Sequence, residues 1–281
     1  MSKSVLLKSS IAKKYWMAIT GLFLCLFLVG HLLGNLQLFS TGEAGRRAFN
    51  EYAYFMQTNP FIKVMSYLTY LSILFHAIDG IMLAVQNKKA RPVQYAMNNA
   101  KANSSSASRK MAILGSIIFI FIATHMVNFW AKMHFGGLSL HKIELTIPES
   151  DQKQELYLTT TGSFISPDQV EVRDGNQFYD KQFGLKLGEG YKDLHSNVMA
   201  FFSGKDVHGV EGNKLAWLAV LLYTISMAVL SFHLMHGFAA AFQSLGLRHP
   251  RYTNLIANAG KLFSIVVPAL FAIIPLYIFF S

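Results

Sequence analysis

Four of the ten histidines, His31, His76, His125 and His233, stand inside long apolar runs, one to a run, and His236 follows His233 by three residues. An imidazole held within a bilayer is costly to leave without a partner. Neutral imidazole is also the usual axial ligand when iron porphyrin is held between helices. A single intramembrane histidine reads as a hydrogen-bonded core residue as readily as a ligand. Four, one to each of four segments, point to paired imidazoles around a cofactor, and haem is the group that such a donor set fits.

The elements that must carry these residues are five apolar runs, at 16–39, 61–85, 111–135, 215–242 and 262–280. Each is long enough to cross a hydrocarbon core of about 30 Å at about 1.5 Å per residue. A chain that is 52% hydrophobic and 14% charged, with a positive mean hydropathy, belongs to the membrane class. Lys13 and Lys14 precede the first run as in a secretory signal, but its length and the lack of a clear cleavage site predict a retained helix. Lys3, Lys8, Lys13 and Lys14 lie before the first run. Lys88, Lys89, Arg91, Lys101, Arg109 and Lys110 lie between the second and third, and Arg248, Arg251 and Lys261 between the fourth and fifth. No acid accompanies them, so the positive-inside rule predicts a cytoplasmic N-terminus and an outer C-terminus; a bacterial cytoplasmic (inner) membrane is the expected location.

The expected fold is an all-α integral membrane protein of five transmembrane helices forming one domain over 1–281. The first four helices form a bundle around two b haems. Between the third and fourth crossings lies a long outer loop, 136–213, which holds twelve of the fifteen acids against seven basic residues. The net charge of +10 is therefore a topology signal, and nucleic acid is excluded as a partner. Within the loop, residues 143–172 predict a short hairpin and residues 194–202 an interfacial helix. The polar stretch 98–110 is low in complexity. His134, His141, His195, His208 and His249 fall in loops or at interfaces, where solvated surface is expected. A lone cysteine, Cys25, excludes internal disulfides, a CxxCH haem attachment and a four-cysteine iron–sulfur cluster.

Counting residues to the run ends gives two levels. His31 and His125 lie about 9 to 13 Å from their outer ends, and His76 and His233 about 14 Å from their inner ends. Two bis-histidine haems at two depths would form an electron path, and six-coordinate iron favours electron transfer over oxygen chemistry. Gly80 follows His76 by four residues and Gly237 follows His233 by four, opening the same helix face to a flat porphyrin. Gly30 and Gly34 flank His31 in a similar way. His236, about 9 Å deep, remains the alternative to His233 on the fourth crossing.

The strings SSIAKKYWMAITG (9–21), HAIDGIMLA, THMVNFW and HLMHGFAAAFQSLG resemble the five-helix, two-haem cytochrome b subunit of succinate:quinone oxidoreductases and the related fumarate reductases. The likeness covers all five crossings and leaves out 136–213. It implies a membrane anchor for a flavoprotein subunit and an iron–sulfur subunit on the cytoplasmic face. Such an anchor is the quinone-reactive part of the enzyme, usually with menaquinone when two haems are present, and has no dicarboxylate site of its own. The family's ligands carry over to His31 and His125 for the outer haem and to His76 and His233 for the inner one. His236 is then left for a propionate or a partner subunit.

Glu51, in the predicted outer loop before the second crossing, resembles in position the acid that serves the outer quinone site in the fumarate reductase branch. A solvated pair with Arg46 or Arg47 is its other reading. Asp79 reads as a proton acceptor or a carboxylate reaching the headgroups. Ser10, Lys13 and Trp16 read as contacts for partner subunits or an inner quinone, with Lys13 chiefly an interface anchor. Two other functions fit less of the pattern: the dihaem cytochrome b of a hydrogenase or formate dehydrogenase, and a transporter with a histidine proton relay.

Overall fold

The computed structural model describes residues 10–90, 93, 99, 102, 106–146 and 153–281. Lys3, Lys8, Arg91 and Lys101, and six of the thirteen residues of the stretch 98–110, lie outside these residues. Helix α1 covers Ser10–Asn35 and tightens into a 3-10 turn at Leu36–Phe39. Helix α2 covers Gly42–Thr58, and α3 covers Pro60–Lys89. Helix α4 runs over Met111–His125, widens into a π-helical segment at Met126–Ala131 and resumes over Lys132–Phe135. Helix α5 covers Leu194–Ser203, α6 covers Ala216–Ser244 and α7 covers Thr253–Phe280.

Five stretches are long and apolar enough to cross a membrane: Ile11–Phe39, Pro60–Lys89, Met111–Phe135, Ala216–Ser244 and Thr253–Phe280. They coincide with the five predicted runs. α1 and α7 begin earlier than expected, because Lys13, Lys14, Asn258 and Lys261 end a hydropathy pattern without interrupting a hydrogen-bond ladder. Little of this apolar surface is buried by the chain itself; in the most apolar stretch of Met111–Phe135 nothing is. That surface is left for lipid and for whatever the helices hold between them.

The chain divides into two compact units. The first comprises Met1–Leu33, Val64–Ala123 and Val220–Tyr277. Aromatic contacts tie its helices: Phe121 meets Tyr223 at 5.0 Å and Phe238 meets Phe263 at 5.6 Å. Gly260 allows the second contact, since a Cβ there would fall 2.7 Å from the Phe238 ring.

The second unit comprises Gly34–Lys63, Thr124–Ala219 and Ile278–Ser281. Here the outer loop expected before the second crossing is helix α2, whose buried face holds Arg46, Phe49 and Asn50. Two of those three are polar, so hydropathy does not reveal the element. Asn59 turns the chain into α3: its side-chain oxygen accepts from the amides of Phe61 and Ile62, with Pro60 in the first helical position. In place of one short hairpin, two antiparallel three-stranded sheets are built from strands within 142–146 and 153–189. The first holds β1 (Lys142–Thr146), β2 (Lys153–Leu158) and β3 (Phe164–Ile165). The second holds β4 (Val170–Arg173), β5 (Gln177–Asp180) and β6 (Lys186–Glu189). Leu158, Val170 and Phe178 form their buried centre, and Tyr157 stacks on Phe178 at 5.0 Å. The expected helix at 194–202 is α5, capped by Asp193 and ended by Gly204 in the left-handed region. It packs Phe201 and Phe202 against Phe129 of the π segment, at 5.2 and 5.9 Å.

Candidate functional site

Within the first unit, α3 brings His76 and α6 brings His233 together edge-on, with ring centroids 6.2 Å apart and planes at 67°. Two metal–imidazole bonds of about 2 Å each, plus the ring radius on either side, span about 6 Å. The pair therefore has the separation of two axial ligands on one metal. His233, and not His236, is the member of the doubled histidine that meets His76.

The tautomer of His76 follows from its neighbour on α1. Thr20 Oγ1 has one proton, and it donates that proton to the Trp16 carbonyl at 2.8 Å. Its lone pair faces His76 Nδ1 at 3.3 Å, so Nδ1 carries the hydrogen of that bond. In a neutral imidazole Nε2 is then unprotonated, the form that binds a metal. His233 Nδ1 is buried with no hydrogen-bond partner among the described residues, a cost that coordination of the ring would help to offset.

A glycine gives the His76 ring its room, and another lies at ordinary contact from the His233 ring. A Cβ at Gly21 would lie 3.2 Å from His76 Cε1, and one at Gly115 would lie 3.6 Å from His233 Cε1. Neither was singled out from the sequence; a glycine within an apolar helix, beside or level with a histidine, was the available signal. Gly80 and Gly237 have nothing within 4 Å of an added Cβ, so the faces expected to accept a porphyrin are open. Among the described residues no cluster of three or more His, Cys, Asp or Glu could hold a metal ion. Two imidazoles leave the other positions of a metal to a second donor set, which a macrocycle such as haem would supply.

The other expected ligands are placed as follows. His31 stacks on Phe27 at 5.3 Å and lies 5.6 Å from Phe271. Gly30 beside it is open, but Gly34 is not: the Tyr52 ring lies 2.6 Å from where its Cβ would be. The opening expected at Gly34 thus admits a tyrosine of α2. His125 is the last residue before the π segment and packs against Phe129 at 5.3 Å. Such wide turns are frequent at functional sites. Lys13, expected as an interface anchor, is only 8% exposed. Trp16 is exposed, and Asp79 is half-buried on α3.

The second unit holds a buried polar network that the sequence did not reveal. Arg46 donates to Asp193 Oδ2 from both Nε and Nη2, at 3.0 and 2.6 Å, and to the Lys142 carbonyl at 2.9 Å. Asn50 Nδ2 donates to Asp193 Oδ1 at 2.8 Å, and Asn50 Oδ1 accepts from the His195 amide at 2.9 Å. His141, expected on the surface, is fully buried: its Nδ1 accepts from Asn50 at 3.2 Å and its Nε2 donates to Glu43. His195, also expected at the surface, is 7% exposed, with its ring edge-on to Phe49 and both ring nitrogens unserved. Their partners are drawn from α2, which sequence reasoning read as loop.

Burial alone would raise the Asp193 carboxyl, but the Arg46 guanidinium, with Asn50 and the Ser196 amide, outweighs it and holds the group at about 2. Burial pushes His195 down to about 4, and pushes His141 down against the pull of Glu43. Lys132 donates to Asn197 at 3.0 Å, and Lys192 donates to the Met133 carbonyl at 2.7 Å, closing the end of α4. Glu51 lies on α2, not in a loop, half-exposed and paired with Arg47 at 2.7 Å, one turn away.

Fold and site together define a multi-pass membrane protein: five long apolar helices with two imidazoles opposed between two of them. Compared with protein-family models, with curated proteins and with solved structures, the chain has no match in any of the three.

Proposed function

We propose that the chain is the membrane-anchor dihaem cytochrome b subunit of a succinate:quinone oxidoreductase. It passes electrons between an iron–sulfur subunit and membrane quinone, with menaquinone the expected partner. The observation that carries the cytochrome reading is the opposed pair His76 and His233, with Nδ1 of His76 engaged by Thr20 and open glycine faces at Gly80 and Gly237. The motif resemblance supplies the rest: a flavoprotein and an iron–sulfur subunit on the cytoplasmic face, and His31 with His125 for the second haem.

Bound haem would supply a one-electron carrier. The chain's own residues do the positioning. Thr20 fixes the tautomer and ring orientation of His76, and Gly21 leaves room for its ring. The surrounding helices are apolar and keep water from the two rings. Glu51 is assigned the base that accepts a quinol proton on the outer side, where its carboxylate remains accessible beside Arg47.

The test is purification of the complex from native membranes. Two b haems per chain by pyridine haemochrome, with a co-purifying flavoprotein that oxidises succinate, is the expected result. A chain without haem ends the cytochrome reading. Two haems with a hydrogenase or formate dehydrogenase in place of the flavoprotein would transfer the chain to that class.

A further inference from the structure

The segment 136–213 lies outside the motif resemblance, and its helix α5 meets α4 at the stretch where α4 departs from regular geometry. A π turn inside an α-helix is rare and is found chiefly at functional sites. Phe129 stands within the widened segment. Its ring is edge-on to Phe201 at 5.2 Å with planes at 77°, and tilted against Phe202 at 5.9 Å. Phe201 and Phe202 meet edge-on at 4.9 Å, so the three rings form one cluster. Just beyond it Lys132 donates to Asn197 Oδ1 at 3.0 Å. Asn197 and Phe201 are one turn apart on α5, so a single face of α5 is fastened to α4 at two points. The same Phe129 ring lies 5.3 Å from that of His125, with planes at 61°. The terminal torsion of a histidine has a broad minimum, so a ring packed beside it decides where the imidazole plane settles.

We propose that Phe129 is a positioning residue for the His125 imidazole and that α5 acts through it, the Phe129–Phe201–Phe202 cluster setting the plane of that ring. This rests on the assignment of the second haem to His125 above. None of the three phenyl rings takes part in the electron step. The plane of an axial imidazole governs how the d orbitals of the iron split, and with them the g-values and midpoint potential of the haem. The outer segment 136–213 is thereby given a task in tuning a redox centre.

The test is electron paramagnetic resonance and redox titration of the purified complex carrying Phe129→Leu, the pair Phe201→Leu and Phe202→Leu, or all three. Haem content and protease sensitivity of 136–213 are measured in parallel. Phe129→Leu and the α5 pair should each shift the g-values and potential of the haem that His125→Ala removes, and leave the haem that His233→Ala removes unchanged. Because α5 acts through Phe129, the triple variant should shift no further than Phe129→Leu alone. Unchanged signals in Phe129→Leu or in the α5 pair overturn the proposal, whether or not the pair frees 136–213 to protease. So do additive shifts in the triple variant, shifts that reach both haems, and loss of the haem from the α5 pair with retention in Phe129→Leu. Loss of the haem from Phe129→Leu supports the proposal where Phe129→Tyr keeps it, and overturns it where Phe129→Tyr does not. Absence of haem from the unmodified complex would defeat the cytochrome reading, a result distinct from all of these.

Discussion

His141 and His233 are both withdrawn from water, one in each unit, and they differ in what their nitrogens do. His141 accepts from Asn50 and donates to Glu43, so its hydrogen bonding is complete. His233 leaves Nδ1 unserved and turns its ring to a second imidazole whose Nε2 is unprotonated. The first is a finished structural residue, and the second has coordination to spare. His195 marks the boundary of the comparison, since both its nitrogens are unserved but its ring neighbour is Phe49.

The comparison breaks most visibly at α6. His233→Ala should remove one of the two haems, while His236→Ala should keep both with at most an altered potential. Loss of haem from His236→Ala and retention in His233→Ala would reverse the assignment. Next in size is Asp193→Ala, which takes the buried carboxylate from the Arg46 guanidinium, leaves it the half-exposed Glu43 carboxylate at 3.0 Å, and should destabilise the second unit by about 3 kcal/mol. Denaturant unfolding or protease sensitivity within 153–213 reads this. A loss below about 1 kcal/mol would show that the pair behaves like a surface bridge.

Acid should act on the second unit in the same direction. The folded pKa of His195 is depressed from 6.5 to about 4, so its contribution is complete above 6.5 and is lost as pH falls toward 4. Asp193, depressed from 3.8 to about 2, adds a second loss between those values. Protection of 153–213 from hydrogen exchange should therefore fall between pH 7 and 4. Constant protection across that range would contradict the buried, neutral state of His195. The smallest structural effect belongs to Glu51→Gln, which breaks an exposed one-turn pair worth about 0.5 kcal/mol or less. Haem content and dye-linked succinate oxidation should stay intact while quinone turnover stops. Normal turnover would remove Glu51 from the quinone site.

The five crossings and the doubled histidine are legible in the sequence because hydropathy and single residue types carry them. Helix α2 is not, since its buried face uses Arg46 and Asn50, and their partner Asp193 stands 147 and 143 residues away. Without that partner an arginine at 46 reads as surface. The same distance effect hid His141 and His195. Gly34 misled for a related reason: a glycine announces a close neighbour without saying which, and Tyr52 is eighteen residues further on. Thr20 was visible as a hydroxyl in an apolar run, but its service to His76 depends on how α1 and α3 meet.

The wide turn at Met126–Ala131 has a consequence for how α4 tolerates insertion and deletion. Each residue of an α-helix turns the chain by about 100°, and a single π turn absorbs one extra residue without ending the ladder. Everything beyond Ala131 is thereby rotated relative to His125, and in that rotated setting Lys132 meets Asn197. A one-residue deletion inside this stretch would restore a regular helix, with hydropathy almost unchanged. It would also turn Lys132 away from Asn197 and draw the Met133 carbonyl off Lys192. Loss of a single codon here would therefore undo the docking of 136–213 while improving the helix that carries it.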